Sequence, residues 1–140
     1  MKHVFTLLIA AFLISTTSQA QVAVGIGTAG VNVKSNPDKT LGLIFRQDFG
    51  LTYPNFNSEL NARVNLTNKS DIKFYFGVGG GINYGGDAGS YTYVRMPIGL
   101  EYFPSDRFSV AVESGFSYFL TSKVFGIGTG LFEISYYFGR

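Results

Sequence analysis

Residues 130–138 read Gly-Leu-Phe-Glu-Ile-Ser-Tyr-Tyr-Phe, with Phe132, Ile134, Tyr136 and Phe138 on one parity and Glu133 and Ser135 on the other. An extended chain sends alternate side chains to opposite faces, so this stretch has one oily, aromatic-ended face and one polar face. The same period of two recurs through the chain. In 59–67, Leu60, Ala62, Val64 and Leu66 alternate with Glu59, Asn61, Arg63 and Asn65. In 72–84, Ile72, Phe74, Phe76, Val78 and Ile82 alternate with Lys73, Tyr75, Gly77, Gly79 and Asn83. In 92–103, Val94, Met96, Ile98, Leu100 and Tyr102 oppose Arg95, Gly99 and Glu101. In 107–119, Phe108, Val110, Val112, Phe116 and Tyr118 oppose Ser109, Ala111, Glu113 and Ser117. The stretch 125–138 begins less regularly, and 22–34 and 40–48 are noisier, although Arg46 and Asp48 again share the polar parity. Strict alternation over so many segments specifies an all-β chain.

Seven segments are therefore expected as strands. The links at 35–38, 68–71 and 104–106 are short and rich in turn formers, while 85–90 and 50–58 are looser. Consecutive short links favour an up-and-down antiparallel meander. Closed barrels of this type carry even strand numbers with eight as the minimum. An eighth strand comes either from splitting 22–34 near Gly30 or from 51–56, where Pro54 is unwelcome. Pro97 lies inside a segment that a closed sheet would hydrogen-bond on both sides, and a local bulge is expected to absorb it.

The chain opens Met1-Lys2-His3, runs apolar from 4 to 14 apart from Thr6, and then turns small and polar, with Ser18 and Ala20 at peptidase-reading positions. That is the pattern of a cleaved secretory signal over 1–20. Removing it from 140 residues leaves 120, a single domain over 21–140. The formal charge falls from +2 to +1 with the loss of Lys2, which gives nucleic acid nothing to bind. Charged residues are 14% of the chain, against about 25% in ordinary soluble domains, and Phe and Tyr number 14 and 9. No later segment is a continuous apolar run of helical membrane-spanning length. Strands facing something other than water fit this composition.

Alternation by itself defines two faces without saying which is outside. A soluble barrel would turn Leu60, Phe74 and Val110 inward, and a membrane barrel would turn them out. Arg46, Asp48, Glu59, Arg63, Lys73, Arg95, Glu101, Glu113 and Glu133 share the polar parity. On a lipid face each would cost up to about 2–4 kcal/mol near the midplane, so several together would exceed a net stability of about 5–15 kcal/mol. In a membrane they must face the lumen. Their nearly balanced signs make Arg46, Glu59, Arg63, Lys73, Arg95, Glu101, Glu113 and Glu133 a candidate lumenal charge network. Glycines 77, 79, 81, 99 and 115 lie on the same parity, as a narrow interior holding long side chains requires. Tyr84, Tyr102, Phe103, Tyr118, Phe119, Tyr136 and Phe138 gather near segment ends, as interfacial aromatic girdles do.

The closing strand, together with Tyr93-Val94-Arg95-Met96-Pro97-Ile98-Gly99-Leu100-Glu101-Tyr102-Phe103 and Arg107-Phe108-Ser109-Val110-Ala111-Val112-Glu113-Ser114-Gly115, resembles the late strands of small bacterial outer-membrane β-barrels of the OmpX or OmpA transmembrane-domain type. In that family the final aromatic ends the chain, whereas here Gly139 and Arg140 follow it. The resemblance implies an eight-stranded transmembrane β-barrel in the outer membrane, surrounded by outer-membrane lipids. It also implies periplasmic chaperones and the barrel-assembly machinery as partners during biogenesis, with the last strand as the recognition signal.

Gly25-Ile26-Gly27-Thr28-Ala29-Gly30 matches the dinucleotide-binding fingerprint in letters, but that motif requires a helix after it, and Val31-Asn32-Val33-Lys34 is strand-like. The sole histidine, His3, lies in the expected signal and there is no cysteine, so the usual activators of a serine or thiol nucleophile are missing. Glu101 and Glu113 could form a carboxylate pair, although a structural role among nearby cations is the simpler reading. No catalytic residue, cofactor or metal site is expected. Asp87 alone gives a calcium site in the loop 85–90 little support. The expected function is a small, monomeric outer-membrane barrel with a structural or surface-interaction role and a narrow charged lumen. The alternative is an exported soluble β-barrel binding a small apolar ligand.

Overall fold

The computed structural model describes residues 21–35, 37–49, 56–67, 71–85 and 89–138. The expected signal segment, most of the 51–56 stretch, Asp87 and the final two residues lie outside the described residues. Eight strands follow one another: β1 (Val22–Gly27), β2 (Gly30–Ser35), β3 (Leu41–Asp48), β4 (Phe56–Asn65), β5 (Ile72–Tyr84), β6 (Tyr91–Ser105), β7 (Phe108–Phe119) and β8 (Val124–Phe138). Each pairs antiparallel with its neighbours in sequence, and β1 pairs with β8, so the sheet closes into an up-and-down barrel.

The eighth strand comes from the first segment, which folds back at Thr28 and Ala29 with Gly27 opposite Gly30. Gly30 has φ of +85°, and a Cβ there would run into the Gln47 carbonyl, so both the turn and the neighbouring strand require glycine. The glycine-rich letters thus make a β-hairpin. Among the described residues no helix follows them to face a pyrophosphate.

Pro97 causes no bulge. The β5–β6 register is the same at Phe76↔Ile98 as at Gly79↔Arg95, and only the pairings in between are missing from the ladder. Proline has no N–H to donate, so the ladder skips a step without adding a residue. Gly77 leaves room for the ring, because a Cβ there would stand 3.0 Å from Pro97 Cγ.

Real register shifts occur elsewhere. One lies between Tyr102 and Ser105 at the β6–β7 turn. Another lies in β7–β8, where Glu113 faces Leu131 but Gly115 faces Gly128. Thr129 and Gly130 together oppose Ser114, which makes a β-bulge. The bulge explains the irregular start of the last segment. Below it the even residues Phe132, Ile134 and Phe138 point outward, and above it the odd residues Phe125 and Ile127 do.

The strands settle which face is which. Leu60, Phe74, Val78, Met96, Ile98, Val112 and Phe116 are exposed on the outside, whereas Arg46, Glu59, Arg63, Lys73, Glu101, Glu113 and Glu133 are buried in the interior. This is a barrel with its polarity inverted relative to a water-soluble core. The aromatic girdle is only partly as expected. Tyr84, Tyr102 and Phe138 are exposed, but Phe103 is buried against Tyr137. Phe119 pairs with the inward Tyr93 and so also belongs to the interior side. Both share parity with charged residues, Phe103 with Glu101 and Phe119 with Glu113, and parity overrides residue type.

Candidate functional site

Among the described residues, the polar and charged side chains of the strands gather in the lumen. Inward positions of β3, β4, β6, β7 and β8 meet across a narrow interior, so long side chains from opposite walls touch. Arg46 of β3 stands at the centre of the upper cluster. Its Nη1 donates to Glu59 Oε1 at 2.7 Å, its Nη2 to Glu113 Oε2 at 2.6 Å and its Nε to Glu133 Oε1 at 2.6 Å. Arg95 lies above it, with Nη1 3.1 Å from Glu59 Oε2 and Nη2 3.0 Å from Glu113 Oε1. Two tyrosines complete the carboxylates: Tyr75 Oη donates to Glu113 Oε2 and Tyr93 Oη to Glu59 Oε2, both at 2.8 Å.

A lower cluster centres on Glu101. Arg63 Nη1 reaches its Oε2 at 2.8 Å, while Lys34 Nζ, Ser109 Oγ and Tyr137 Oη reach its Oε1 at 3.2, 2.6 and 2.7 Å. Lys34 joins the two clusters by approaching Glu133 Oε2 at 2.9 Å. The Arg63 guanidinium also lies 5.2 Å from the centre of the Tyr75 ring, within cation–π range. Four cations and four carboxylates thus balance inside a region from which water is largely excluded.

Lys73 is inside but separate from both clusters. Its ammonium pairs with Asp38 and donates to the Pro37 carbonyl at 2.9 Å, and it sits 5.0 Å from the centre of the Phe103 ring. Asn65 Nδ2 donates to the Lys39 carbonyl at 2.7 Å. The β2–β3 turn is thereby held across the lower mouth of the barrel, with Pro37 buried.

Of the eight residues named from sequence, seven meet in the two clusters and Lys73 joins the turn instead. Asp48 stands at the upper end of β3, apart from them. The sequence reading missed Lys34, Asp38 and the tyrosines Tyr75, Tyr93 and Tyr137. Lys34 could have been found, because it shares parity with Asn32 against Val31 and Val33. The tyrosines fit because the opposite wall is glycine: a Cβ at Gly99 would overlap the Tyr75 ring, and one at Gly81 the Tyr93 ring. Glu101 and Glu113 fall into different clusters, each neutralised by cations, and do not form a carboxylate pair. Among the described residues no group of three or more histidine, cysteine or acidic side chains is arranged to hold a metal ion.

No protein-family model matches the chain, and no curated protein matches it. Among solved structures, it is similar to a chain described under the de novo design of transmembrane β-barrels, at 19% identity, covering 85% of this chain and 92% of that one, with a TM-score of 0.46. It is also similar to Neisserial surface protein A (NspA), at 11% identity, covering 84% of this chain and 88% of that one, with a TM-score of 0.44.

Proposed function

We propose that the protein is a small integral outer-membrane β-barrel with a structural or surface-interaction role, a closed charged lumen and no catalytic activity. One observation carries this reading: a continuous exposed apolar surface surrounds a barrel whose strand-borne charges are nearly all buried. In water such a surface would drive aggregation, whereas hydrocarbon solvates it. The long strands support the same reading. At about 3.3 Å per residue and a tilt of about 40°, each residue adds roughly 2.5 Å of height. The 12 to 15 residues of β5–β8 therefore rise roughly 30–38 Å, enough to cross an apolar band of about 25 Å.

A soluble barrel carrying a small apolar ligand would need an oily interior, and this interior is filled by guanidinium, ammonium, carboxylate and phenol groups. Catalysis has equally little support. Residues 21–140 contain neither imidazole nor thiol, and the buried carboxylates are engaged by cations. Outer-membrane lipids are the surroundings this surface fits. Periplasmic chaperones and the barrel-assembly machinery are the partners that export and insertion would require, and a monomer closes its own sheet.

The chain has no tryptophan, so single substitutions give clean reporters. With brominated acyl chains in the bilayer, Trp at Phe116 is expected to be strongly quenched and Trp at Phe103 to be protected. Strong quenching at Phe103 with protection at Phe116 would reverse the orientation and remove the membrane reading.

A further inference from the structure

The barrel wall is uneven, and the low side opens beside an unusual residue. Strands β1 and β2 have six residues each, against 15 in β8. Only Glu133–Phe138 of β8 pair with β1, and the last closing bonds join Thr28 to Phe132. Above that point, among the described residues, β8 has β7 on one side and no strand on the other. At roughly 2.5 Å of height per residue, the six residues of β1 put the Thr28–Ala29 turn roughly 15 Å up a band of about 25 Å, so the step falls within the hydrocarbon. Phe125 and Ile127, on the free stretch of β8, are 78% and 76% exposed, the highest values among the large apolar side chains described.

Behind the step lies Arg95. It is 8% exposed, and its Nε is buried without a hydrogen-bond partner. Its guanidinium reaches the inner face of β8, where a Cβ on Gly128 would be 3.8 Å from Nη2. At Gly130 a Cβ would meet only the Glu113 carbonyl, at 3.8 Å, so the lip of the step is bare. A buried N–H with no partner and a strand edge that no described strand pairs both call for hydrogen-bonding groups that acyl chains cannot supply.

Resting on the membrane reading above, we propose that this step is a lateral binding site for a bilayer amphiphile with an uncharged, hydroxyl-bearing headgroup. The head passes over the Thr28–Ala29 turn to Arg95 and the β8 edge, and the chain stays outside against Ile26, Phe125 and Ile127. Charge selects the head. Arg46, Arg95 and Lys34 balance Glu59, Glu113 and Glu133, so a sugar or glycerol hydroxyl adds no charge behind the step, whereas a phosphate would bring in one the interior has no spare cation to neutralise. A second copy is the poorer occupant. Two barrels inserted the same way round both present a descending β8, and a two-fold axis along the membrane normal would cross these strands at about 80°, twice the usual tilt, not pair them.

The test uses the chain from residue 21, folded in phosphatidylcholine nanodiscs and titrated with dodecyl maltoside or dodecylphosphocholine, which share a tail length. Saturable amide shifts at Thr28 and Gly128 and at Arg95 Nε–H are expected with the maltoside only. Gly128→Leu, whose Cβ makes only ordinary contacts, should cover Arg95 and weaken the response at least about tenfold. Arg95→Lys, which keeps the charge but removes Nε–H, should weaken it as well. Equal responses to both detergents, no saturable response, a response unchanged in both variants, or a dimer that excludes the maltoside would each overturn the site. Tryptophan quenching in the same nanodiscs separates the two readings. Lipid contact at Phe116 with a flat titration removes the site and leaves the membrane barrel standing.

Discussion

Arg46 shows how a residue that is costly in isolation becomes structural when its partners are fixed. Taking a guanidinium out of water is expensive, and attraction to three carboxylates at 2.6–2.7 Å offsets that cost only while all are present. Removing the cation leaves Glu59, Glu113 and Glu133 with one charge too few against them, since Arg95 and Lys34 are then their remaining cations in a low-dielectric interior. Arg46→Met is therefore expected to destabilise the barrel by about 3–5 kcal/mol, read as a lowered urea midpoint in lipid vesicles. A loss below about 1 kcal/mol would mean that the network is hydrated and loosely held. Gly99 makes the complementary point about space. Any Cβ there displaces the Tyr75 ring, which donates to Glu113 and stacks beneath Arg63. Gly99→Val should cost about 1–3 kcal/mol in the same unfolding measurement, although glycine is the poorer strand former. An unchanged midpoint would show that the tyrosine can move aside freely.

At the scale of the strand, the sequence was legible wherever parity is kept. The strictly alternating stretches around Arg63, Tyr75, Glu101 and Glu113 became β4 to β7 with the inward and outward sets as read. Parity also explains what was misread. Phe103 and Phe119 carry girdle chemistry on lumen positions, and position decided their direction. Asp38 was not legible at all, since a turn residue has no period to mark it, and only the closed barrel brings it to Lys73. Pro97 was read as needing an extra residue when losing one hydrogen bond sufficed. The bulge at 129–130 was visible as a switch of the apolar residues from odd to even numbers between Ile127 and Phe132. It yields a test: deleting Gly130 leaves Thr129 alone opposite Ser114 and keeps Gly128 opposite Gly115, so every outward residue stays outward. That deletion should fold, with the usual migration difference between boiled and unboiled samples. Deleting Leu100, which is paired in constant register on both sides from Ile98 to Tyr102, should turn part of β6 over, carry a charged residue into hydrocarbon and abolish that difference. Failure of the Gly130 deletion to fold would show that the bulge, and not the alternation, sets the register.

For the whole molecule, two closures lie in series along one lumen. The turn 37–40 is drawn across the lower mouth by Lys73 and Asn65, and the Arg46 and Glu101 clusters fill the middle. An ion crossing the barrel would have to displace both, so the protein in planar bilayers is expected to pass no steady current. Series closure makes the variants strongly non-additive. Lys73→Met releases the turn while the charge clusters still block the path. Arg46→Met loosens the upper cluster while the turn still blocks the mouth. Each alone should remain silent, and the double variant, checked for folding by its gel migration, should conduct in small steps. Current through the parent protein would mean that the packed interior opens readily. Current through either single variant would show that one closure carries the whole barrier. A silent but folded double variant would place the barrier on the Glu101 cluster, where Arg63 and Lys34 hold a carboxylate that neither substitution touches.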